Sequence, residues 1–191
     1  LGTGGAITVG LIKALSHFLG KKISKMEIAD MAYQIERHDL GLSCGKKDQY
    51  STAIGGLNLL KYHPSGKVEA MTFNLGEKIK LLLDHLLLFD TGKTRNSEKI
   101  LKSQQRVSQQ GILSDLHILN QGALEISQAL KKAAFKKIGQ LMNTHWQIKR
   151  KIIPGITNPV IDKAYQKALE AGALGGRISG AGGGGYLVIF C

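Results

Sequence analysis

The sequence predicts an α+β fold built from two parts. Apolar residues at helical spacing, bounded by capping signals, predict helices, and two short apolar runs around a turn at 64–66 predict a β-hairpin. A glycine-rich run leads into a final apolar strand at 186–191. The strand-rich first part gives way to a helix-rich second part near residue 78, so we predict domains at 1–78 and 79–191.

The first part opens on a glycine-rich loop, Leu1 to Gly5, followed by a helix from Ala6 to Leu19. The apolar side chains of this helix cover a wide face, which predicts that it is well buried; they are Ile7, Val9, Leu11, Ile12, Ala14, Leu15, Phe18 and Leu19. Ser24 and Glu27 form a capping box for a second helix, about Lys25 to His38. A short helix at 48–54 and hairpin strands at 57–62 and 68–73 complete this part.

The second part is predicted to start with a short strand, Leu86 to Phe89, and a polar helix from about Ser97 to Gln110. Three further helices are predicted at about 114–130, 135–149 and 159–171. The last has clear end signals, with Asn158 as N-cap, Pro159 at the first helical position and Gly172 after the end. Residues 175–185 are predicted to form a second glycine-rich loop before the final strand.

Length and composition indicate an ordinary packed protein with a basic surplus. The 191 residues are 43% hydrophobic and 21% charged, which excludes a disordered tail, a collagen-like rod and a disulfide scaffold. No apolar run reaches the roughly 18 residues of a membrane-spanning helix, so membrane association is not expected. The net charge of +12 fits nucleic acid, an acidic membrane or anionic small molecules, and a solvated basic surface is the alternative interpretation. Because aromatic residues make up only 6%, stacking on single-stranded nucleic acid is not expected.

Three groups of residues, here called constellations, are candidates for a functional role. The first consists of Gly2, Thr3, Gly4 and Gly5. A glycine-rich loop before a helix offers free backbone N–H groups and the positive end of the helix dipole, which together bind phosphate. The loop matches neither of the common patterns GxxxxGK[ST] and GxGxxG. A purely structural turn is the alternative interpretation.

Glu36 and Asp48 form the second constellation, the first at the end of a helix and the second past a glycine turn. Mg²⁺ takes oxygen ligands, usually one or two carboxylates plus substrate phosphates. A second carboxylate near it can accept the proton of a substrate hydroxyl. Two solvated surface charges are the alternative.

The third constellation is the glycine-rich run from Ser179 to Gly185, in which five of seven residues are glycine. Such a run loses much backbone entropy on folding. This composition indicates a segment that passes close to a ligand or to another loop.

Taken in order, the three constellations resemble the motifs of the GHMP superfamily of small-molecule kinases. Residues 1–6 resemble the second half of that family's ATP loop, and 45–49 match its Gly-x-x-Asp-Gln pattern. Residues 178–185 are similar to its third, glycine-rich motif. Segments 45–58 and 88–95 further resemble the bacterial branch that phosphorylates D-glycero-D-manno-heptose 7-phosphate.

The resemblance implies the GHMP kinase fold, with a partial N-terminal domain like ribosomal protein S5 domain 2 and a ferredoxin-like C-terminal domain. It also implies residue roles: Gly2, Thr3, Gly4 and Gly5 at the ATP phosphates, Glu36 at Mg²⁺, Asp48 as the base or orienting group for the sugar hydroxyl, and Gly180, Gly182 and Gly183 near the substrate. Thr3 and Gly4 stand where the family has two serines. Since glycine offers no hydroxyl, Thr3 is the second candidate metal ligand.

Arg95 and Arg177 are our candidates for the substrate phosphate, because a guanidinium fork suits that group. Structural or surface arginines are the alternative at both positions. Arg95 follows the short strand of the second part, and Arg177 comes just before the glycine-rich run.

The expected function is transfer of the ATP γ-phosphate to a hydroxyl of a heptose 7-phosphate, with Mg²⁺, for nucleotide-heptose and surface polysaccharide synthesis. The expected partners are ATP and the sugar phosphate, in the cytoplasm, with a homodimer as an option. Alternatives are a fucose or galactose kinase and an inactive ligand-binding remnant, while charge alone suggests a nucleic-acid-binding module. We expect the sequence to be part of a longer kinase, truncated at both ends.

Overall fold

A computed structural model describes residues 2–92 and 112–191, and the chain divides after Asn74 into two compact units, Gly2–Asn74 and Leu75–Cys191. Both units combine helices with antiparallel strands, which confirms the predicted α+β class. The predicted helix at 97–110 lies outside the described residues. In the part of the chain that is described, no helix combines the length and apolar character needed to cross a bilayer.

The first unit contains α1 (Thr3–Phe18), α2 (Lys25–Gln34), a π-helical turn (Ile35–Asp39), α3 (Lys47–Ile54), β1 (Leu57–Tyr62) and β2 (Val68–Phe73). The strands pair antiparallel, with Leu57 opposite Phe73, so the predicted hairpin is confirmed. Apolar side chains of α1 and α2 form a buried cluster: Val9, Ile12, Ile28 and Ala32. Under the hairpin, Tyr50 of α3 packs with Ala29 and Val68.

The outer face of α1 is exposed, contrary to the prediction that this helix is well buried. Five of the eight side chains expected to be buried are 58 to 84% exposed, namely Ile7, Leu11, Leu15, Phe18 and Leu19. The helix instead buries a narrow stripe containing Val9, Ile12 and Ser16. A helix buries only the stripe that meets its neighbours, and α2 and α3 both contact α1 on that side. The prediction of a well-buried helix was therefore wrong.

The predicted capping box at the start of α2 is confirmed. Ser24 Oγ accepts a hydrogen bond from the Glu27 backbone N–H at 3.2 Å, and Glu27 Oε2 accepts one from the Ser24 N–H at 2.8 Å. The predicted helix does not continue to His38 as a regular α-helix. It widens at Ile35 into the π turn, where the Leu40 N–H donates to the Ile35 carbonyl at 2.9 Å.

The second unit contains α4 (Lys78–Asp84), β3 (Leu86–Asp90), α5 (Leu113–Lys131), α6 (Phe135–Ile152), α7 (Pro159–Glu170), β4 (Gly175–Ile178) and β5 (Tyr186–Phe190). Its sheet has the order β3-β5-β4, with both pairs antiparallel. The core joins the helices to the two last strands through Trp146, Ile161, Tyr165, Ile178, Leu187 and Ile189. The predicted N-cap and end signals of α7 are confirmed.

The prediction of one glycine-rich loop from 175 to 185 was wrong, because its first four residues form strand β4. A Cβ at Gly175 would lie 2.2 Å from the Gly139 carbonyl oxygen, and one at Gly176 would lie 2.4 Å from the Val188 oxygen. These glycines are needed because β4 packs against the backbones of α6 and β5, not because the chain turns there. Helix α4 was not predicted at all.

Candidate functional site

The N-terminus of α1 presents free backbone donors. Gly2 precedes the helix in the left-handed region (φ 75°), no side chain caps the end, and the first turn contains no acidic residue. The first N–H groups of a helix have no partner within it, and the helix dipole adds partial positive charge there. Thr3, Gly4 and Gly5 therefore form a helical turn rather than the predicted loop, and that turn is suited to an anion such as phosphate.

This end of α1 lies directly against the start of α3. A Cβ at Gly2 would be 3.2 Å from Asp48 Cγ, and a Cβ at Gly5 would be 3.2 Å from the Gln49 backbone nitrogen. Both distances are shorter than ordinary van der Waals contacts, so a larger side chain would push the two helix ends apart. The structure thus brings Gly2, Gly5 and Asp48 together.

The Asp48 carboxylate lies at the surface of this cluster. Its side chain is 42% exposed, and Oδ1 lies 3.0 Å from Lys47 Nζ, which is also exposed. Such exposed ion pairs contribute little free energy. The carboxylate is therefore accessible to a substrate hydroxyl and close to the free N–H groups of α1.

Glu36 is buried, in contrast to the solvated charge that was the alternative interpretation. The residue is 5% exposed, and its Oε2 accepts a 2.6 Å hydrogen bond from Gln49 Nε2. Its Oε1 has no hydrogen-bond partner among the described residues. Burying a carboxylate oxygen without a partner is unfavourable, so this atom is suited to a cation.

The residues present fit Mg²⁺ bound together with a phosphate ligand. Mg²⁺ commonly takes one or two carboxylates plus substrate phosphate oxygens, and Glu36 offers one unpaired oxygen. Thr3 is exposed in the first turn of α1 and carries a hydroxyl. Across residues 2–92 and 112–191, no group of three or more His, Cys, Asp or Glu side chains could hold a metal by itself.

Cys44 and Tyr62 add neutral polar groups near these acids. Burial raises the pKa of the Cys44 thiol, and the negative charge of Glu36 raises it further. Partial burial, followed by the charge of Asp48, raises the pKa of Tyr62, which stays 48% exposed, to about 12. Both groups are therefore protonated at neutral pH, and the Tyr62 hydroxyl can donate a hydrogen bond.

The glycine-rich segment after β4 belongs to the second unit, where its hydrogen bonds include ones with Ile156, Asn158 and Thr91. The Gly183 N–H donates to the Ile156 carbonyl at 2.7 Å, and Asn158 Nδ2 donates to the Gly183 carbonyl at 3.1 Å. Thr91 binds the Gly185 carbonyl through its N–H and its hydroxyl. The left-handed φ values of Gly180, Gly182, Gly183 and Gly185 explain why the segment needs glycine.

Arg177 lies on β4 and is half-buried. Burial lowers the pKa of its guanidinium, and its recorded hydrogen bond is a long one, 3.4 Å from Nε to the Ile178 carbonyl. Within the described part of the chain, no carboxylate forms an ion pair with it. Arg95, the other candidate for the substrate phosphate, lies outside the described residues.

Comparison with known protein families decides the classification. The model "GHMP kinases N terminal domain" matches residues 1–56, and the model "GHMP kinases C terminal" matches residues 126–191. The chain belongs to the GHMP kinases. Family membership and the GHMP kinase fold, both implied by the resemblance of the motifs, are confirmed.

One relative of this GHMP kinase chain is the D-glycero-alpha-D-manno-heptose 7-phosphate kinase of Campylobacter jejuni. The two are 31% identical over 192 residues, and the alignment covers 100% of the chain and 57% of the relative. L-fucokinase/L-fucose-1-P guanylyltransferase of Bacteroides fragilis is 29% identical, covering 98% of the chain and 20% of the relative. The crystal structure of a D-glycero-D-manno-heptose 1-phosphate kinase from Bacteroides thetaiotaomicron superposes with a TM-score of 0.73 at 25% identity, covering 100% of the chain and 52% of that structure.

Two residues near the acids of this GHMP kinase chain, Gln49 and Tyr62, were not predicted as site residues from the sequence. Gln49 belongs to the quoted motif but was given no role, although it binds Glu36 and touches the backbone region of Gly5. Its position directly after Asp48 was the available signal. Tyr62 comes from the end of β1, and nothing in its local pattern pointed to Asp48.

Asn158 provides a test of how the glycine-rich segment is held. Its Oδ1 accepts from the Val160 and Ile161 N–H groups, while its Nδ2 binds Gly183. We expect Asn158→Ala to lower the free energy of unfolding by about 2 kcal/mol, since it removes a cap and a further hydrogen bond. Asn158→Asp keeps the capping oxygen, so we expect a loss of only about 1 kcal/mol. Urea denaturation measures both, and equal losses would contradict the separation of the two roles.

Proposed function

We propose that this chain carries part of the active site of an ATP-dependent sugar kinase that acts on a heptose phosphate. The single observation that carries the proposal is the position of Asp48. Its carboxylate lies against Gly2 at the uncapped N-terminus of α1, while the buried Glu36 is joined to the neighbouring Gln49. Neighbouring groups thus contribute the three functions that the reaction needs. Asp48 is the proton acceptor, the N-terminus of α1 binds phosphate, and Glu36 offers a carboxylate to a metal.

In the proposed reaction, the N–H groups of Thr3, Gly4 and Gly5 bind the ATP phosphates. Asp48 takes the proton of the attacking sugar hydroxyl while that oxygen forms a bond to the γ-phosphorus. The bond from the γ-phosphorus to the bridging oxygen breaks, and ADP leaves with the electron pair. Phosphoryl transfer depends mainly on positioning and charge neutralisation, so these few groups are sufficient. Mg²⁺ held by Glu36 and Thr3 would supply neutralisation of the phosphate charge.

Two observations support a phosphorylated sugar as the acceptor. The chain has a net charge of +12, which suits a pair of polyanionic ligands. Arg177 has no carboxylate partner among the described residues, and a guanidinium binds phosphate in a bidentate manner. The roles of Arg177, Gly180, Gly182 and Gly183 toward the substrate are part of this proposal. Two of the relatives, from Campylobacter jejuni and Bacteroides thetaiotaomicron, are kinases named for heptose phosphates, which also supports this assignment.

The test is ADP release by the natural protein that contains this sequence, with ATP, Mg²⁺ and a panel of acceptors. The panel contains D-glycero-D-manno-heptose 7-phosphate, the corresponding 1-phosphate, L-fucose, D-galactose and mevalonate. We expect the highest kcat/KM with heptose 7-phosphate. Preference for L-fucose, which the Bacteroides fragilis relative supports as the second candidate, would contradict the substrate assignment. If no acceptor in the panel supported ADP release, the proposed activity would be contradicted.

A further inference from the structure

We propose that Gln49 is a positioning residue that orients the Glu36 carboxylate for the metal–nucleotide complex. The inference rests on the proposed function and adds a residue to it. Gln49 is 1% exposed, Glu36 is 5% exposed, and Gln49 Nε2 lies 2.6 Å from Glu36 Oε2. The amide donor therefore occupies one carboxylate oxygen and leaves the other, Oε1, without a partner.

The charge of Glu36 is not neutralised by a neighbouring cation. Arg37 is adjacent in sequence, but its Nη1 donates to the Leu42 carbonyl at 3.4 Å. Among the described residues, no Lys or Arg forms an ion pair with Glu36. A buried carboxylate with one oxygen held by a neutral amide has its other oxygen available as a ligand for a cation.

Gln49 is a poor choice for packing alone. Its own Oε1 has no hydrogen-bond partner in the described part of the chain, and an unsatisfied buried amide oxygen is unfavourable. An apolar side chain of similar volume would fill the same space without that loss. The amide is therefore better explained by the hydrogen bond that it donates.

The backbone of Gln49 connects this hydrogen bond to the phosphate-binding end of α1. A Cβ at Gly5 would lie 3.2 Å from the Gln49 nitrogen, so the main chain of Gln49 supports the first turn of α1. One residue thus fixes the carboxylate through its side chain and contacts the free N–H turn through its backbone. Groups that orient a metal ligand in this way typically change metal affinity 10- to 100-fold when they are removed.

The test is Mn²⁺ binding to the natural protein in the presence of ADP, measured by electron paramagnetic resonance. Gln49→Met keeps the side-chain length and removes the donor, and we expect the Kd for Mn²⁺ to rise about 10- to 100-fold. ADP binding in EDTA, measured by calorimetry, should change less than threefold. The matched control is Gln166→Met, which removes the exposed bond from Gln166 Nε2 to Glu170 Oε1 on α7 and should leave the Kd for Mn²⁺ unchanged.

A double-mutant cycle distinguishes positioning from a general structural effect. Glu36→Gln removes the carboxylate, so Gln49→Met should cause no further loss of Mn²⁺ affinity in that background. Gln49→Asn, which shortens the amide by one carbon, serves as the second variant if the methionine variant fails to fold. Unchanged Mn²⁺ affinity in a folded Gln49 variant would overturn this inference alone. Absence of Mn²⁺–ADP binding by the wild type would overturn the proposed function as well.

Discussion

Asp48→Asn is expected to lower kcat for phosphoryl transfer by about 10²- to 10⁴-fold, the range for loss of a general base. An asparagine has nearly the same shape as the aspartate but cannot take the proton of the sugar hydroxyl. Because the side chain is 42% exposed and its ion pair with Lys47 lies at the surface, the fold should tolerate the change. The KM for ATP should change less than threefold, since the helix N-terminus of α1 is retained.

The measurement is steady-state ADP release with heptose 7-phosphate as acceptor, at saturating ATP. Asp39→Asn is the matched control, because Asp39 is an exposed residue of the same unit and undergoes the same chemical change. We expect the control to retain wild-type kcat. If Asp48→Asn also retained kcat within threefold, Asp48 would not be the proton acceptor.

Gly182→Ala is expected to lower the free energy of unfolding of the second unit by about 2–6 kcal/mol. Gly182 has a φ of 103°, where an alanine is strained by about 1–3 kcal/mol. A Cβ there would also lie 2.5 Å from Ile156 Cγ1 and 2.8 Å from its carbonyl oxygen. Overpacking of this kind adds about 1–3 kcal/mol, and Ile156 belongs to the buried core.

Gly172→Ala separates the two causes of this loss. Gly172 has a similar φ of 99°, but no atom lies within 4 Å of its Cβ position. Its substitution therefore adds backbone strain without a steric clash, and we expect it to be the milder of the two. Urea denaturation followed by the fluorescence of Trp146, which lies in the same core as Ile156, measures both. Equal losses would show that the contact with Ile156 does not limit this position.

The elements that the sequence predicted correctly are those whose signals are local. The capping box of Ser24 and Glu27, the Asn158 cap and the hairpin at 57–73 each depend on a few neighbouring residues. The exposed face of α1 was mispredicted for a physical reason. An apolar stripe shows which residues share a face, whereas the positions of α2 and α3 determine which face is covered.

The candidate site was predictable to the extent that it consists of contiguous motifs. Gly2, Gly5 and Asp48 lie in recognisable segments, and the structure brings them together. The bond from Gln49 to Glu36 joins residues thirteen positions apart, across a turn whose geometry no local pattern defines. Burial of Glu36 depends on that tertiary contact, so sequence spacing could only suggest a solvated acid or a metal ligand.

The π turn at Ile35–Asp39 makes the site sensitive to the length of the chain as well as to its composition. Its five-residue hydrogen bond, from the Leu40 N–H to the Ile35 carbonyl, accommodates one residue more than an α-helical turn does. A helix rotates by about 100° per residue, so an in-frame deletion of one codon here would redirect the side chains that follow it. Substitution scans keep the residue count constant and would therefore not detect this dependence, whereas a single-codon deletion scan would.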